Sequence, residues 1–420
     1  MRIRWLMLAA AGVLSFGCSD TDTAGQVTAD VPSVEADKVT AVLDVSRATD
    51  PGAAMNDGSG PDASGVDTSV QDTQAKDTEP QDVPATDVPQ LDSTSPEDIG
   101  LPEDTASVEP VVTFAAFGDS GKGNAGQKEV GEAVAAKCKK DGCDFIMLLG
   151  DNIYNSGVES VDDPQWQEKF EIPYQNVDVI FRPALGNHDN GGLTLGLGGP
   201  PIDLAGEDGG TGMEFWRGDI QIEYSNVSPK WDMPARFYDY EMGSAHFFAL
   251  DTNSMMFNQH EEQAGEMVSR VKKSTATWKI AYGHHNYISN GKHGNAGKYD
   301  LPDWLGWVPG LLGNLGELIS GKGVKAGIET IVCDTDVDLY IAGHDHNRQW
   351  FATGQEGCNG PEFVVSGASA TTTDFKGDQP NLFEDDKKLG FLWVRIQGSK
   401  LRAEFVDTEG NVDFVRELEK

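Results

Sequence analysis

The stretch D-F-I-M-L-L-G-D-N-I-Y, Asp144 to Tyr154, decides how the rest of the chain folds. Five apolar residues, Phe145 to Leu149, run without a polar break, as a strand buried on both faces of a parallel sheet does. Gly150 stops the run and delivers Asp151 and Asn152, with Tyr154 three positions past the aspartate. In open α/β sheets, ligands collect beyond the carboxyl ends of the strands. A carboxylate and a phenol delivered there could both reach one hard cation.

The pattern recurs on both sides. Val111 to Phe117 is another buried run and ends in Gly118-Asp119-Ser120-Gly121. Gln127 to Lys139 has alanine and valine at helical spacing, Pro164 to Phe170 reads as a short helix, and Val177 to Leu185 as a strand ending in Gly186-Asn187-His188-Asp189. Such alternation predicts a parallel sheet with right-handed crossovers. Phe237 to Glu241 and His246 to Asp251 read as a strand pair, and Glu261 to Lys273 as a helix. Trp278 to Tyr282 is a strand ending in Gly283-His284-His285, and Val324 to Val332 completes a helix. Asp338 to Ala342 is a strand ending in Gly343-His344-Asp345-His346-Asn347. Glu362 to Val365, Gly390 to Ile396 and Leu401 to Val406 carry strand signal. Residues 109–420 are many for a single core, and two packed sheets with helices outside would use them.

The N-terminal part is different in kind. Met1 to Cys18 has Arg2 and Arg4, an apolar stretch from Trp5 to Phe16, and then Gly17-Cys18. That is a secretory signal, too short to span a bilayer, and a cysteine directly after the small residue resembles a bacterial lipoprotein processing site, with Cys18 lipidated. Residues 19–108 hold 20 Asp/Glu against Lys38, Arg47 and Lys76, with no Phe, Trp or Tyr. A chain so polar cannot bury enough apolar surface to offset its entropy, so a disordered acidic tether is expected. Asp57, Asp62, Asp67, Asp72, Asp77, Asp82, Asp87 and Asp92 recur every fifth residue, a period that fits neither helix nor strand and marks a low-complexity spacer. The net charge of -36 argues against nucleic acid as a partner.

Five strand ends thus carry Asp119; Asp151 with Tyr154; Asn187 with His188; His284; and His344 with His346. Of eight histidines, only His246 and His260 lie away from these turns. Each residue alone has a dull explanation as turn, core or hydrogen-bonded imidazole. Their joint placement points to a metal site in which Asp151 is shared by two ions.

The set G-D-S-G, G-D-N-I-Y, G-N-H-D, G-H-H and G-H-D-H-N resembles the five motif blocks of calcineurin-like metallophosphoesterases. The tyrosine of the second block narrows the resemblance to purple acid phosphatases, of the small tartrate-resistant type, over Val111 to Leu418. It implies an α/β fold: a four-layer α-β-β-α sandwich of two mixed sheets packed face to face. It further implies that Asp119, Tyr154 and His346 hold a ferric ion, that Asn187, His284 and His344 hold a divalent one (Fe2+ or Zn2+, with Mn2+ an option), and that Asp151 bridges them. His188 corresponds to the histidine that holds the phosphate, and His293 to the second substrate-side histidine; either could be the general acid. Which of His284 and His285 ligates is chosen by register.

The donor chemistry agrees with that implication. Carboxylate and phenolate suit a hard trivalent ion, and imidazole and amide suit a borderline divalent one. Five positive charges against the three anionic donors leave a local surplus that attracts a phosphate into an acidic protein. Two metals can hold a phosphoryl oxygen and present a hydroxide in line with the leaving group. The expectation is an exported, lipid-anchored, monomeric phosphomonoesterase of acidic pH optimum, acting on a phosphorylated small molecule or phosphoprotein. A phosphodiesterase, nucleotide or phytate hydrolase on the same centre is the alternative, and a non-catalytic surface lipoprotein a third. Export would permit Cys138–Cys143 and Cys333–Cys358 disulfides. The inserts 191–212 and 298–323 could wall the pocket.

Overall fold

A computed structural model describes residues 109–191, 210, 212–299 and 320–420; the expected signal and tether, and most of both inserts, lie outside these residues. The opening stretch behaves as its apolar run demands. Strand β2 (Phe145–Leu149) is buried along its whole length and runs parallel to both β1 (Val111–Phe117) and β3 (Ile180–Ala184), with Phe145 beside Phe114 on one side and Ile180 on the other. The crossover from β1 to β2 is helix α1 (Ala125–Asp141). It starts two residues earlier than its apolar spacing suggests, because Asn124 caps it, its side chain accepting from Gln127 N at 2.9 Å. The expected short helix near Phe170 is a π-helical turn over Gln167–Glu171. Strand β3 begins at Ile180, not Val177, whose N–H is taken by a turn to Tyr174 O.

Helix α2 (Phe215–Tyr224) precedes the second sheet. Strands β4 (Tyr238–Met242) and β5 (Ala245–Ala249) form the expected antiparallel pair. Asp251 is not strand but the N-cap of a short helix, α3 (Thr252–Met256). After α4 (Glu261–Lys273) comes β6 (Trp278–Tyr282), parallel to β5. Helix α5 (Lys322–Ile328) runs on as a π-helical turn to Cys333 and leads to β7 (Leu339–Ala342), β8 (Arg348–Phe351), β9 (Glu362–Ser366) and β10 (Phe383–Asp385). The chain then returns to the first sheet as β11 (Gly390–Gln397), β12 (Lys400–Asp407) and β13 (Val412–Glu419), β11 lying antiparallel beside β1. Among the described residues the strand orders are β13-β12-β11-β1-β2-β3 and β10-β8-β9-β7-β6-β5-β4. Both sheets are mixed.

Alternation of side chains along the second sheet builds two layers of core. Phe247, Ile280, Leu339, Ile341 and Val364 join the apolar cluster of the first sheet; the rings of Phe114 and Phe145 meet Phe247 edge-on at 5.4 and 5.2 Å. Their neighbours Phe248, Ala281, Tyr340 and Phe363 face the other way, with Met267 and Val271 of α4 and Val324 and Ile328 of α5. Helix α1 covers the far side of the first sheet through Val130 and Val134. The result is the expected four-layer α-β-β-α sandwich. Both expected disulfides, Cys138–Cys143 and Cys333–Cys358, are present.

Candidate metal centre

The two sheets meet at one rim, where Gly118 N donates to Ser366 O at 2.9 Å and Ser366 Oγ to Ala116 O at 2.9 Å. The turns after β1, β2, β3, β6 and β7 all open there. Three of their side chains are aimed by an uncommon backbone: Asp119, Asp151 and His344 have φ of 59°, 53° and 69°. Non-glycine residues seldom adopt that left-handed region, and they collect at functional sites when they do.

The donors fall into two groups. In the first, Tyr154 Oη lies 3.2 Å from Asp119 Oδ1 and 3.0 Å from His346 Nε2, and His346 Nε2 lies 3.5 Å from Asp119 Oδ1. In the second, His284 Nε2 lies 3.0 Å from Asn187 Oδ1 and 3.1 Å from His344 Nδ1. Asp151 joins them, with Oδ2 3.4 Å from His284 Nε2 and a side-chain hydrogen bond to Tyr154. Donor atoms of Asp119, Asp151 and His284 fall within 4.8 Å of one another. Ligands on ~2.1 Å bonds at roughly tetrahedral to octahedral angles stand about 3.0–3.4 Å apart, which is the spacing found here.

Two of the donors, His284 and Asn187, are orientated with lone pairs inward, and the ring of a third, His346, is held toward them. His284 Nδ1 faces Leu149 O at 2.9 Å, so it carries the ring proton and leaves Nε2 as the acceptor. Asn187 Nδ2 donates to Gly210 O at 2.9 Å, which turns Oδ1 toward His284. His346 Nδ1 is held by Thr371 Oγ1 at 3.0 Å, and Nε2 points at Tyr154 and Asp119. Acceptors facing acceptors repel unless a cation stands between them, so the residues fit the metal pair that their types suggest. The field agrees: burial pushes the His284 pKa down, yet Asp151 and Asp119 together draw it above the usual imidazole value. Burial likewise pushes Asp151 up, but His284 and His188 bring it to about 2. Desolvation and the neighbouring imidazoles of His293, His285 and His284 hold His344 well below its usual range.

His284 and His285 now separate. The ring of His285 turns to Thr252 Oγ1, 2.9 Å from Nδ1, and takes no part in either donor group. His188 gives its N–H to Asp151 Oδ1 at 2.9 Å, and its ring is fixed by Nδ1 to Asn155 O at 2.6 Å with Nε2 3.9 Å from Asp151. The ring of His293 stacks on that of His344 with centroids 4.2 Å apart. Burial lowers its pKa, against the charge of Asp345. Asn187, His344 and His293 are partly exposed while Asp119, Asp151, Tyr154 and His284 are buried, so the centre opens on the His293 side. Cys18 and most of the two inserts lie outside the described residues, but Gly210 of the first insert meets the centre through Asn187.

Four supporting residues were not singled out from the sequence. Asp189 accepts from Asn152 N, Ile153 N, Gly186 N and Gln221 Nε2 at 2.7–3.0 Å, tying the turn of β2 to that of β3. Thr252 and Thr371 orient histidines, and Asp345 anchors the His293 loop. Asp189 and Asp345 stand inside quoted motif blocks, a charged residue next to a ligand, which was their only signal.

Two mixed sheets with a cluster of carboxylate, phenol, amide and imidazole donors at their common rim make a candidate metal centre. Residues 112–348 match the calcineurin-like phosphoesterase family, and the chain belongs to that family and is a phosphoric ester hydrolase. Human tartrate-resistant acid phosphatase type 5 is 26% identical to it, over 76% of this chain and 94% of its own. Purple acid phosphatase 7 of Arabidopsis thaliana is 26% identical over 72% of this chain and 84% of its own. Among solved structures, purple acid phosphatase PPD1 of yellow lupin (Lupinus luteus) seeds is similar with a TM-score of 0.53 at 17% identity, over 74% of this chain and 54% of that one. The GAP50 anchor of the Plasmodium inner membrane complex is similar with a TM-score of 0.51 at 21% identity, over 74% and 89%. These two likenesses concern the sandwich alone.

Proposed function

We propose that this phosphoesterase is an exported phosphomonoesterase working on a mixed dimetal centre. Asp119, Tyr154 and His346 hold a ferric ion; Asn187, His284 and His344 hold a divalent iron, zinc or manganese; Asp151 is common to both. The observation that carries this is the division of the donor atoms into two groups of three joined through Asp151. A phenol and carboxylate in one group and an amide with two imidazoles in the other suit a trivalent and a divalent ion respectively.

When bound, the two cations supply Lewis acidity toward a phosphoryl oxygen and a nucleophile available in acid. The chain does the rest. His188, its Nδ1 committed to Asn155 O, turns Nε2 to the substrate phosphate and holds it. His293 gives its proton to the leaving oxygen. A general acid must arrive protonated, so the rate falls as pH rises past its pKa, and the optimum is acidic. The substrate is a phosphomonoester, of a small phosphorylated molecule or of a phosphoprotein. Met1–Cys18 carries the chain out of the cell and leaves it lipid-anchored as a monomer at the envelope.

The full chain purified with iron should be purple from phenolate-to-iron charge transfer, and Tyr154→Phe should bleach it. It should cleave a phosphomonoester faster than a diester, best below neutral pH. Colourless, iron-free protein of full activity would remove the ferric assignment, and a preference for diesters would remove the monoester reading.

A further inference from the structure

We propose that Asp345 is a positioning residue that holds His293 at its working place, an inference that rests on the hydrolase reading above. The turn from Gly343 to Asn347 alternates its side chains. His344 and His346 face the metal donors; Asp345, between them and fully buried, faces the segment that carries His293. Its Oδ1 accepts the His293 N–H at 2.9 Å. Its Oδ2 accepts Ser289 Oγ–H at 2.5 Å and Asn286 Nδ2–H at 3.0 Å. One carboxylate therefore takes three donors from a single stretch of eight residues, Asn286 to His293.

The approach is close. A β-carbon on Gly291 would stand 2.3 Å from Asp345 Cγ, so the loop lies directly on the carboxylate. Gln349 of β8, four positions on, secures the same loop, accepting Asn290 N–H at 2.7 Å and donating to Ser289 Oγ at 2.8 Å. The His293 ring in turn stacks on His344. One short turn thus sets a metal donor directly and, through Asp345, the histidine stacked on it. Only an ionised carboxylate of this length presents acceptors on both oxygens. An asparagine would turn an NH2 toward either His293 N–H or the Ser289–Asn286 pair, donor against donor, and the loop would have to shift. A displacement of about 1 Å at a reacting group costs about 100-fold.

The test is a double-mutant cycle on the full chain: wild type, Asp345→Asn, His293→Ala and the double variant. Each is read for metals per chain, the charge-transfer band, kcat and KM on an aryl and an alkyl phosphomonoester, and the Kd of inorganic phosphate. Asp345→Asn should keep both metals and the band. It should lower kcat about 10- to 100-fold, more on the alkyl ester, whose leaving group needs a proton, as His293→Ala does. The double variant should be no slower than His293→Ala alone to within about two-fold. Ser289→Ala, which removes one donor and leaves the carboxylate in place, should shift kcat in the same direction by a smaller factor, and carries the cycle if Asp345→Asn does not fold.

The inference is overturned if Asp345→Asn leaves kcat unchanged, if the two losses multiply, if His293→Ala has no effect where Asp345→Asn does, or if Asp345→Asn loses metal. Wild-type protein that hydrolyses no monoester would instead defeat the hydrolase reading, and the cycle on phosphate Kd would still decide whether the two residues act as one.

Discussion

Gly186 has no room for a side chain. A β-carbon there would stand 2.1 Å from Asp151 Oδ1 and 2.4 Å from Asp151 N. The glycine that ends β3 is thus the floor on which the shared carboxylate rests. Gly343 does the same for Asp119, whose Oδ2 would lie 2.6 Å from its β-carbon. Gly186→Ala should therefore displace Asp151 and lower kcat by at least about 100-fold, since a shift of about 1 Å suffices for that. Metal analysis should find fewer than two ions per chain; an alanine variant with full metal content and wild-type rate would contradict the placement of Asp151. At this scale the ligands were legible because each is the first polar residue after an apolar run or stands within three positions of it. The residues that aim them were not. Asp189, Thr252, Thr371 and Asp345 act through hydrogen bonds to partners as many as 59 positions away, and polar side chains of that kind have no period to read.

Helix α1 is joined to β12 by one partly hidden ion pair, Lys137 Nζ to Glu404 Oε2 at 2.6 Å, with Arg402 Nε 2.8 Å from Glu404 Oε1. Burial pushes the Glu404 carboxyl up, but Lys137 and Arg402 together hold it below its usual range. Lys137→Met keeps the length of the stem and removes the charge, and should cost about 1.5 kcal/mol, the lower end for a charged hydrogen bond because Arg402 remains. A depressed carboxyl pKa contributes stability above its unfolded value of ~4.3 and loses it as pH falls through the folded value. The gap in unfolding free energy between wild type and variant should accordingly be full near neutrality and shrink in acid. A gap independent of pH would mean that packing of the stem, not charge, is what Lys137 supplies. The elements carrying the motifs were readable from apolar runs of five residues or so. Strand β8 was not, because it is buried on both faces yet opens with the polar pair Arg348 and Gln349, and β13 was not, because it is an amphipathic edge bearing Asp413, Arg416, Glu417 and Glu419.

Over the whole molecule, the change of composition at residue 108 sets the acidic N-terminal part apart from the candidate metal donors. The first described strand starts at Val111, and Thr113 N is already fixed to Asp144 Oδ2 at 2.7 Å, the residue that opens β2. Every candidate metal donor lies at or beyond Asp119, and all come from turns of the two sheets. The acidic N-terminal part, with 20 carboxylates against three basic side chains, has by contrast the composition of a self-repelling spacer. A chain beginning at Glu109 should therefore fold, keep both metals, and show kcat and KM within about two-fold of the full chain, as screened charges beyond a Debye length of about 8 Å exert little pull on a substrate. The two chains should differ in where they are found. On the proposed lipidation of Cys18, the full one should sediment with membranes and enter a detergent phase, whereas the shortened one should stay in the aqueous phase at equal specific activity. A full chain that partitions like the shortened one would remove the anchor. A several-fold change in KM would show instead that the acidic segment reaches the centre, and that its charge takes part in choosing the substrate.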